Sequence, residues 1–149
     1  MSRTGRFSLL VKAPTETVWQ VLLDLVWDPQ KHTGAIESIE ILERDGDASC
    51  LRKLVARNLV VVERIAVDPE RRRVASEFVD HPKYTGTFVK QLTPPSNPEG
   101  YPTLTYSLAW AAKDPDVDVP NLDSLALKGV KHAQSVAEAQ ALKDRLADQ

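Results

Sequence analysis

Cysteine is almost missing from this chain. Cys50 stands alone, which rules out an intrachain disulfide and a cysteine metal cluster. A lone thiol fits a reducing compartment, so we expect a cytoplasmic protein. Histidine is scarce as well: His32, His81 and His132 share no ligand-like spacing, and no metal site is expected from them. Glycine occurs six times and always singly. That leaves no glycine-rich loop to cradle a phosphate, and no cofactor is expected. Neither sign of charge dominates, with 19 Lys and Arg against 21 Asp and Glu for a net charge of −2. The basic field that draws nucleic acid is therefore missing. The run Arg71-Arg72-Arg73 follows Asp68-Pro69-Glu70 and suits a charged turn better than a phosphate-binding surface. Apolar stretches such as Leu59–Val62 fall far short of the ~20 residues of a membrane helix. No apolar signal-peptide segment follows the charged Met1–Arg6.

What is present belongs to an ordinary folded domain. The 149 residues are 42% hydrophobic and 27% charged, enough for one core, and we expect a single domain over 1–149. Phe7–Lys12 suits a short strand. Ala13-Pro14-Thr15-Glu16 then opens a helix, with proline at its first position and a carboxylate near the free N–H groups. Val18, Val21, Leu22, Leu25 and Val26 keep helical spacing, and Trp27-Asp28-Pro29 ends the run. A helical turn is expected around Gln30–His32.

From Ile36 to Ala112 the pattern is that of strands. Asp45-Gly46 is a hairpin signal. Strands are expected over Ala48–Ala56, Leu59–Val67, Arg73–Val79, Tyr84–Leu92 and Thr103–Ala111, with turns at Asp68–Arg72 and His81-Pro82. In the last strand Leu104, Tyr106, Leu108 and Trp110 alternate with smaller or polar residues and define an inward face. Prolines 94, 95, 98 and 102, then 115 and 120, mark loops. Beyond them Asn121 caps a final helix of roughly 25 residues, ~37 Å long. Its apolar stripe (Leu122, Leu125, Ala126, Gly129, Val130, Ala133, Val136, Ala137 and Ala141) is rich in small residues. Such a face either comes close to a sheet or leaves a void. A curled antiparallel sheet of about six or seven strands must cover its concave side, and only this helix is available to do so.

Val11-Lys12-Ala13-Pro14-Thr15-Glu16-Thr17-Val18-Trp19 resembles the strand-to-helix opening of START-like, or SRPBCC, domains. The likeness continues through Ile36–Asp47, Val62-Glu63-Arg64-Ile65, Asp68–Val74 and the final helix, nearly the whole chain. Within the superfamily it is to a subfamily of unknown function. The resemblance implies an α+β helix-grip fold (START/Bet v 1-like) with a cavity between the sheet and the C-terminal helix. It does not imply one activity, because members bind hormones, sterols or quinones and some cyclise or dehydrate polyketides.

Candidate cavity residues follow from alternation and from the resemblance. Val61, Glu63, Ile65 and Val67 share one strand face, and a glutamate matching Glu63 faces the pocket of the hormone receptors. Burial there would push its pKa toward neutrality and suit it to proton transfer. The alternative puts Arg64 inward and Glu63 in solvent. Arg52 shares a face with Cys50, Leu54 and Ala56 and is a natural partner for Glu63, either as a ligand anchor or as a structural ion pair. Tyr106, Leu108 and Trp110, with Tyr84 and Phe88, supply aromatic and apolar wall. His32 matches a basic pocket position in the receptors, Trp27 stands near the expected mouth, and Val130 faces inward from the final helix.

Two functions follow as expectations. The first is binding or carriage of a small hydrophobic molecule (lipid-, polyketide- or isoprenoid-like) in the internal cavity. The second is a polyketide cyclase or dehydratase, with Glu63 moving a proton while Arg52 and Tyr106 stabilise enolate charge. Against the second, aromatase/cyclases carry a pocket arginine on the Glu63 strand, where the matching position here is Ile65, or Arg64 if the register slips. A Glu63 looking into an apolar hollow predicts a Glu63→Gln variant of unchanged or higher stability. No nucleic-acid partner and no membrane insertion are expected, and the sequence leaves monomer and homodimer equally open.

Overall fold

The computed structural model describes residues Ser2–Gln149. Chain order is β1 (Ser2–Leu10), α1 (Thr15–Trp27), a 3-10 turn (Pro29–Lys31), β2 (Ser38–Asp45), β3 (Ser49–Ala56), β4 (Leu59–Asp68), β5 (Arg73–Asp80), β6 (Tyr84–Thr93), β7 (Thr103–Ala112) and α2 (Leu122–Ala147). The strands form one seven-stranded sheet in the order β1-β7-β6-β5-β4-β3-β2. Every pairing is antiparallel. Six of the strands follow one another as a meander: short turns join β2 through β6, and a loop over 94–102 joins β6 to β7. The β2–β3 hairpin closes over Gly46 at φ +53, and Arg57 and Arg72 take left-handed φ in the β3–β4 and β4–β5 turns that follow.

β1 differs from expectation. It starts at Ser2 and ends at Leu10 rather than covering Phe7–Lys12, and it pairs with β7 along its whole length, from Ser2↔Ala111 to Leu10↔Thr103. Arg3, Thr4 and Arg6 read as polar because β1 is an edge strand with a solvated face. Pro14 also moves by one position. It is the N-cap, and the helix proper begins at Thr15.

The two helices close the concave side. α1 buries Val18, Trp19, Val21, Leu22 and Val26. α2 buries Leu122, Ala126, Val130, Ala133, Ala137 and Ala141, and the Asn121 side chain accepts a hydrogen bond from Ser124 N at 3.1 Å. The small residues let α2 descend on the sheet. A Cβ at Gly5 of β1 would fall 2.2 Å from the Leu122 carbonyl carbon, and one at Gly129 would fall 2.8 Å from the Tyr106 ring. Further bonds fasten α2 to β1: Arg6 N to the Asp123 carboxylate at 2.8 Å and Gln134 Nε2 to Leu10 O at 3.0 Å. Of the two outcomes open to a small-residue face, close approach is the one realised. Among the described residues no helix is long and apolar enough to cross a membrane.

Candidate functional site

The inward face of each strand follows from its pleat. Arg52, Glu63, Ser76 and Phe88 share one face of β3, β4, β5 and β6: Arg52 pairs with Glu63, Glu63 with Phe78 two residues from Ser76, and Ser76 with Ile65 and Phe88. The register slips between Val62 and Glu63, leaving Val79 of β5 unpaired and exposed. Such a bulge bends the sheet beside the site. Beneath the C-terminal end of α1 these strands enclose a cavity of about 220 Å³ lined by Leu25, Val26, Arg52, Glu63, Ile65, Val74, Ser76, Phe88 and Lys90.

Arg52 organises one wall. Its Nη1 donates to the carbonyls of Leu25 at 2.8 Å and Val26 at 2.7 Å, groups in the last turn of α1 that have few partners within the helix. A cation also suits the negative end of the helix. Its Nε donates to Glu63 Oε1 at 3.2 Å, and Nη2 donates to the same oxygen. The two side chains keep only 8% and 14% of their exposure, so this is an interior ion pair that ties β3 to β4 and to α1. Arg64 points the other way, to the surface, 3.7 Å from Glu43.

Lys90 forms the opposite wall. Its Nζ lies 5.3 Å from the ring centres of Phe88 and Tyr106, and no carboxylate of the described residues comes within ion-pair distance of it. Burial pulls its pKa down to about 8, Arg52 pushes the same way, and Glu63 opposes. Tyr106 lies beside it, 2% exposed, with Phe88 edge-on at 5.1 Å. Burial alone drives its phenol above the ordinary range. Cys50 is buried, and burial likewise raises its thiol, which makes it a poor nucleophile.

The expected site residues divide into three groups. Arg52, Glu63, Ile65 and Phe88 line the cavity. Tyr106, Leu108 and Val130 are packed core at 2%, 4% and 0% exposure, and Leu54 is half-buried opposite Val61. The expected location of the cavity is corrected accordingly. No α2 residue lines it, because Gly129 and its small neighbours bring that helix into contact with the sheet.

The remaining residues lie elsewhere. Tyr84 and Trp110 stack at 5.3 Å in an aromatic cluster with Phe78 and His81. There Tyr84 donates to Asp118 O at 3.2 Å, while Trp110 Nε1 is buried without a partner. His81 Nδ1 accepts from the N–H groups of Lys83 and Tyr84 at 3.0 and 3.1 Å, and burial lowers its pKa. Trp27 lies under the Arg44 guanidinium, 4.0 Å away. His32 sits in a groove between α1 and α2, with Nε2 2.8 Å from Asp24 Oδ2. Burial there pushes Asp24 up, but hydrogen bonds from His32 and Gln20 and the nearby positive charges outweigh it, so its pKa is lowered.

Sequence reasoning missed Lys90, Ser76 and Val74, and it placed Leu25 and Val26 on the apolar face of α1 without assigning them to the site. A signal for Lys90 existed: it is two residues beyond Phe88 and two before the fully buried Leu92, on the same alternating face.

No protein-family profile and no curated protein sequence matches the chain. Solved structures do. Ara h 8.0201 superposes with a TM-score of 0.72 at 18% identity, over 96% of this chain and 99% of its own. The Zhui aromatase/cyclase from Streptomyces sp. R1128 superposes with a TM-score of 0.66 at 21% identity, over 95% of this chain and 91% of its own. The chain adopts the START/Bet v 1-like helix-grip fold. In this helix grip, α2 presses on β1 and β7 and the cavity lies to one side, under the end of α1.

Proposed function

We propose that this helix-grip protein binds a small, largely apolar molecule in the cavity beneath α1. One observation carries the reading: a partly enclosed hollow of about 220 Å³ walled by Leu25, Val26, Ile65, Val74 and Phe88, with Arg52, Glu63, Ser76 and Lys90 as its polar lining. Interiors are packed to crystal-like density, and a void of this size forfeits contacts unless something fills it. The volume lies below the ~300 Å³ at which pockets for drug-sized ligands begin. It suits a single ring or a short chain, such as a monocyclic isoprenoid or a one-ring polyketide fragment, and excludes a sterol.

A second reading, a polyketide cyclase or dehydratase, is favoured by the presence of Arg52 and Glu63 in one cavity and by the aromatase/cyclase among the structural neighbours. Two features weigh against it. Tyr106 does not line the cavity, and Arg52 already donates to Glu63 and to two helix carbonyls. Turnover of a model poly-β-ketone, abolished in a folded Glu63→Gln variant, would restore this reading.

The binding proposal is tested by titrating toluene into methyl-labelled protein and following the Ile65 and Val74 resonances by NMR. Saturable shifts confined to cavity residues are expected. Shifts that stay absent at the solubility limit of toluene would sink the proposal.

A further inference from the structure

Charge within the cavity does not balance. Arg52 and Lys90 bring two positive groups to its wall and Glu63 brings one negative group. Arg52 is fully engaged with the Glu63 carboxylate and the α1 carbonyls. The Ser76 hydroxyl points to Phe88 O at 3.4 Å. Lys90 alone among the charged lining residues has its ionic group free, and its nearest compensation is the faces of two aromatic rings at 5.3 Å. Ring faces attract a cation only weakly compared with a carboxylate. An ammonium with no hydrogen-bond acceptor from the protein, set beside a largely apolar hollow, is an arrangement that an anionic ligand can relieve.

Building on the binding proposal above, we infer that the cavity recognises a small monocarboxylate. Its anionic head meets the Lys90 ammonium, and its apolar body lies along Phe88, Ile65 and Val74. One negative charge brings the cavity to neutrality, whereas a phosphate dianion would overshoot it. A neutral carbonyl would accept a hydrogen bond and leave the charge in place. The helix end does not repel the incoming anion, because Arg52 covers the Leu25 and Val26 carbonyls. The titratable groups facing Lys90 are Arg52 on β3, Glu63 on β4 and Tyr106 on β7.

Phenylacetate and its neutral isostere phenylacetamide provide the test, by calorimetry at pH 7. Phenylacetate is expected to bind at least about ten-fold more tightly. Lys90→Gln should erase that preference while keeping the affinity for the amide, and Lys90→Arg should retain it. Above pH 8, where Lys90 loses its proton, phenylacetate affinity should fall about ten-fold per unit and phenylacetamide affinity should not. Thermal melts of both variants establish that they fold. Equal binding of acid and amide by the wild type would overturn the inference and leave the cavity reading standing. Binding of toluene but of neither phenyl compound would also overturn it, and failure of all three would remove both.

Discussion

Gly129 of α2 rests directly on the ring of Tyr106: a Cβ built at position 129 would lie 2.8 Å from both Cδ2 and Cε2. The ring cannot easily yield, since Tyr106 is 2% exposed and Phe88 meets it at 5.1 Å. This contact decides where the helix grip is hollow. It brings α2 down on β7 and leaves the open volume to the strands farther along the sheet, under α1.

Gly129→Ala is therefore expected to destabilise the protein. Alanine gains up to about 1 kcal/mol in helix propensity, but forcing a methyl group into a packed core costs about 1–3 kcal/mol. Urea unfolding should show a net loss of about 1 kcal/mol. A gain in stability would mean that α2 stands off from the sheet.

Glu63→Gln should also destabilise, contrary to what a solitary acid facing an apolar hollow predicts. The structure gives Glu63 an arginine partner, and removing one member of a buried pair costs about 3–5 kcal/mol because the other is left uncompensated. Part of that cost is spared here, because Arg52 keeps its carbonyl partners on α1. A loss of about 2–3 kcal/mol is expected by urea denaturation. The double variant Arg52→Met/Glu63→Leu should recover part of it, and simple additivity of the two single changes would refute the pairing.

Stability should rise with pH in two windows. His81 has its pKa lowered by burial, so below about 6.5 the unfolded chain takes up a proton that the fold resists. Lys90 titrates at about 8 in the fold and at 10.5 when unfolded. Between those values the unfolded state again binds more protons, and stability climbs by up to about 1.4 kcal/mol per unit. Tyr106, whose pKa is raised by burial, acts in the opposite sense above 10. Thermal melts between pH 7.5 and 8.5 isolate the lysine, because Cys50, whose thiol burial raises from 9.0, acts in the opposite sense above that interval. Lys90→Met should flatten the curve in that interval, and an unchanged slope would show that the ammonium is solvated.

Most of the fold was legible because its signals are local. The hairpin glycine, the proline stops, the Asn121 cap and the alternation in Thr103–Ala111 each act within a few residues, and the corresponding elements formed within one residue of where those signals placed them. β1 was misjudged at its polar start because an edge strand receives its hydrogen bonds from a partner about a hundred positions away, which no local pattern reports. The candidate site was half legible. Arg52 and Glu63 follow from strand faces, whereas Lys90 was passed over despite its alternating position.

By itself the sequence determined the order of elements, the inward face of β7 and the small-residue stripe of the last helix, since periodicity and turn chemistry are properties of neighbouring residues. It left open whether that stripe would close on the sheet or stand away from it. Only the tertiary structure decided this, because the contact of Gly129 with Tyr106 and the reach of Arg52 to Leu25 and Val26 join residues distant in the chain. Those long-range contacts move the cavity from beneath α2 to beneath α1 and leave Lys90 facing it.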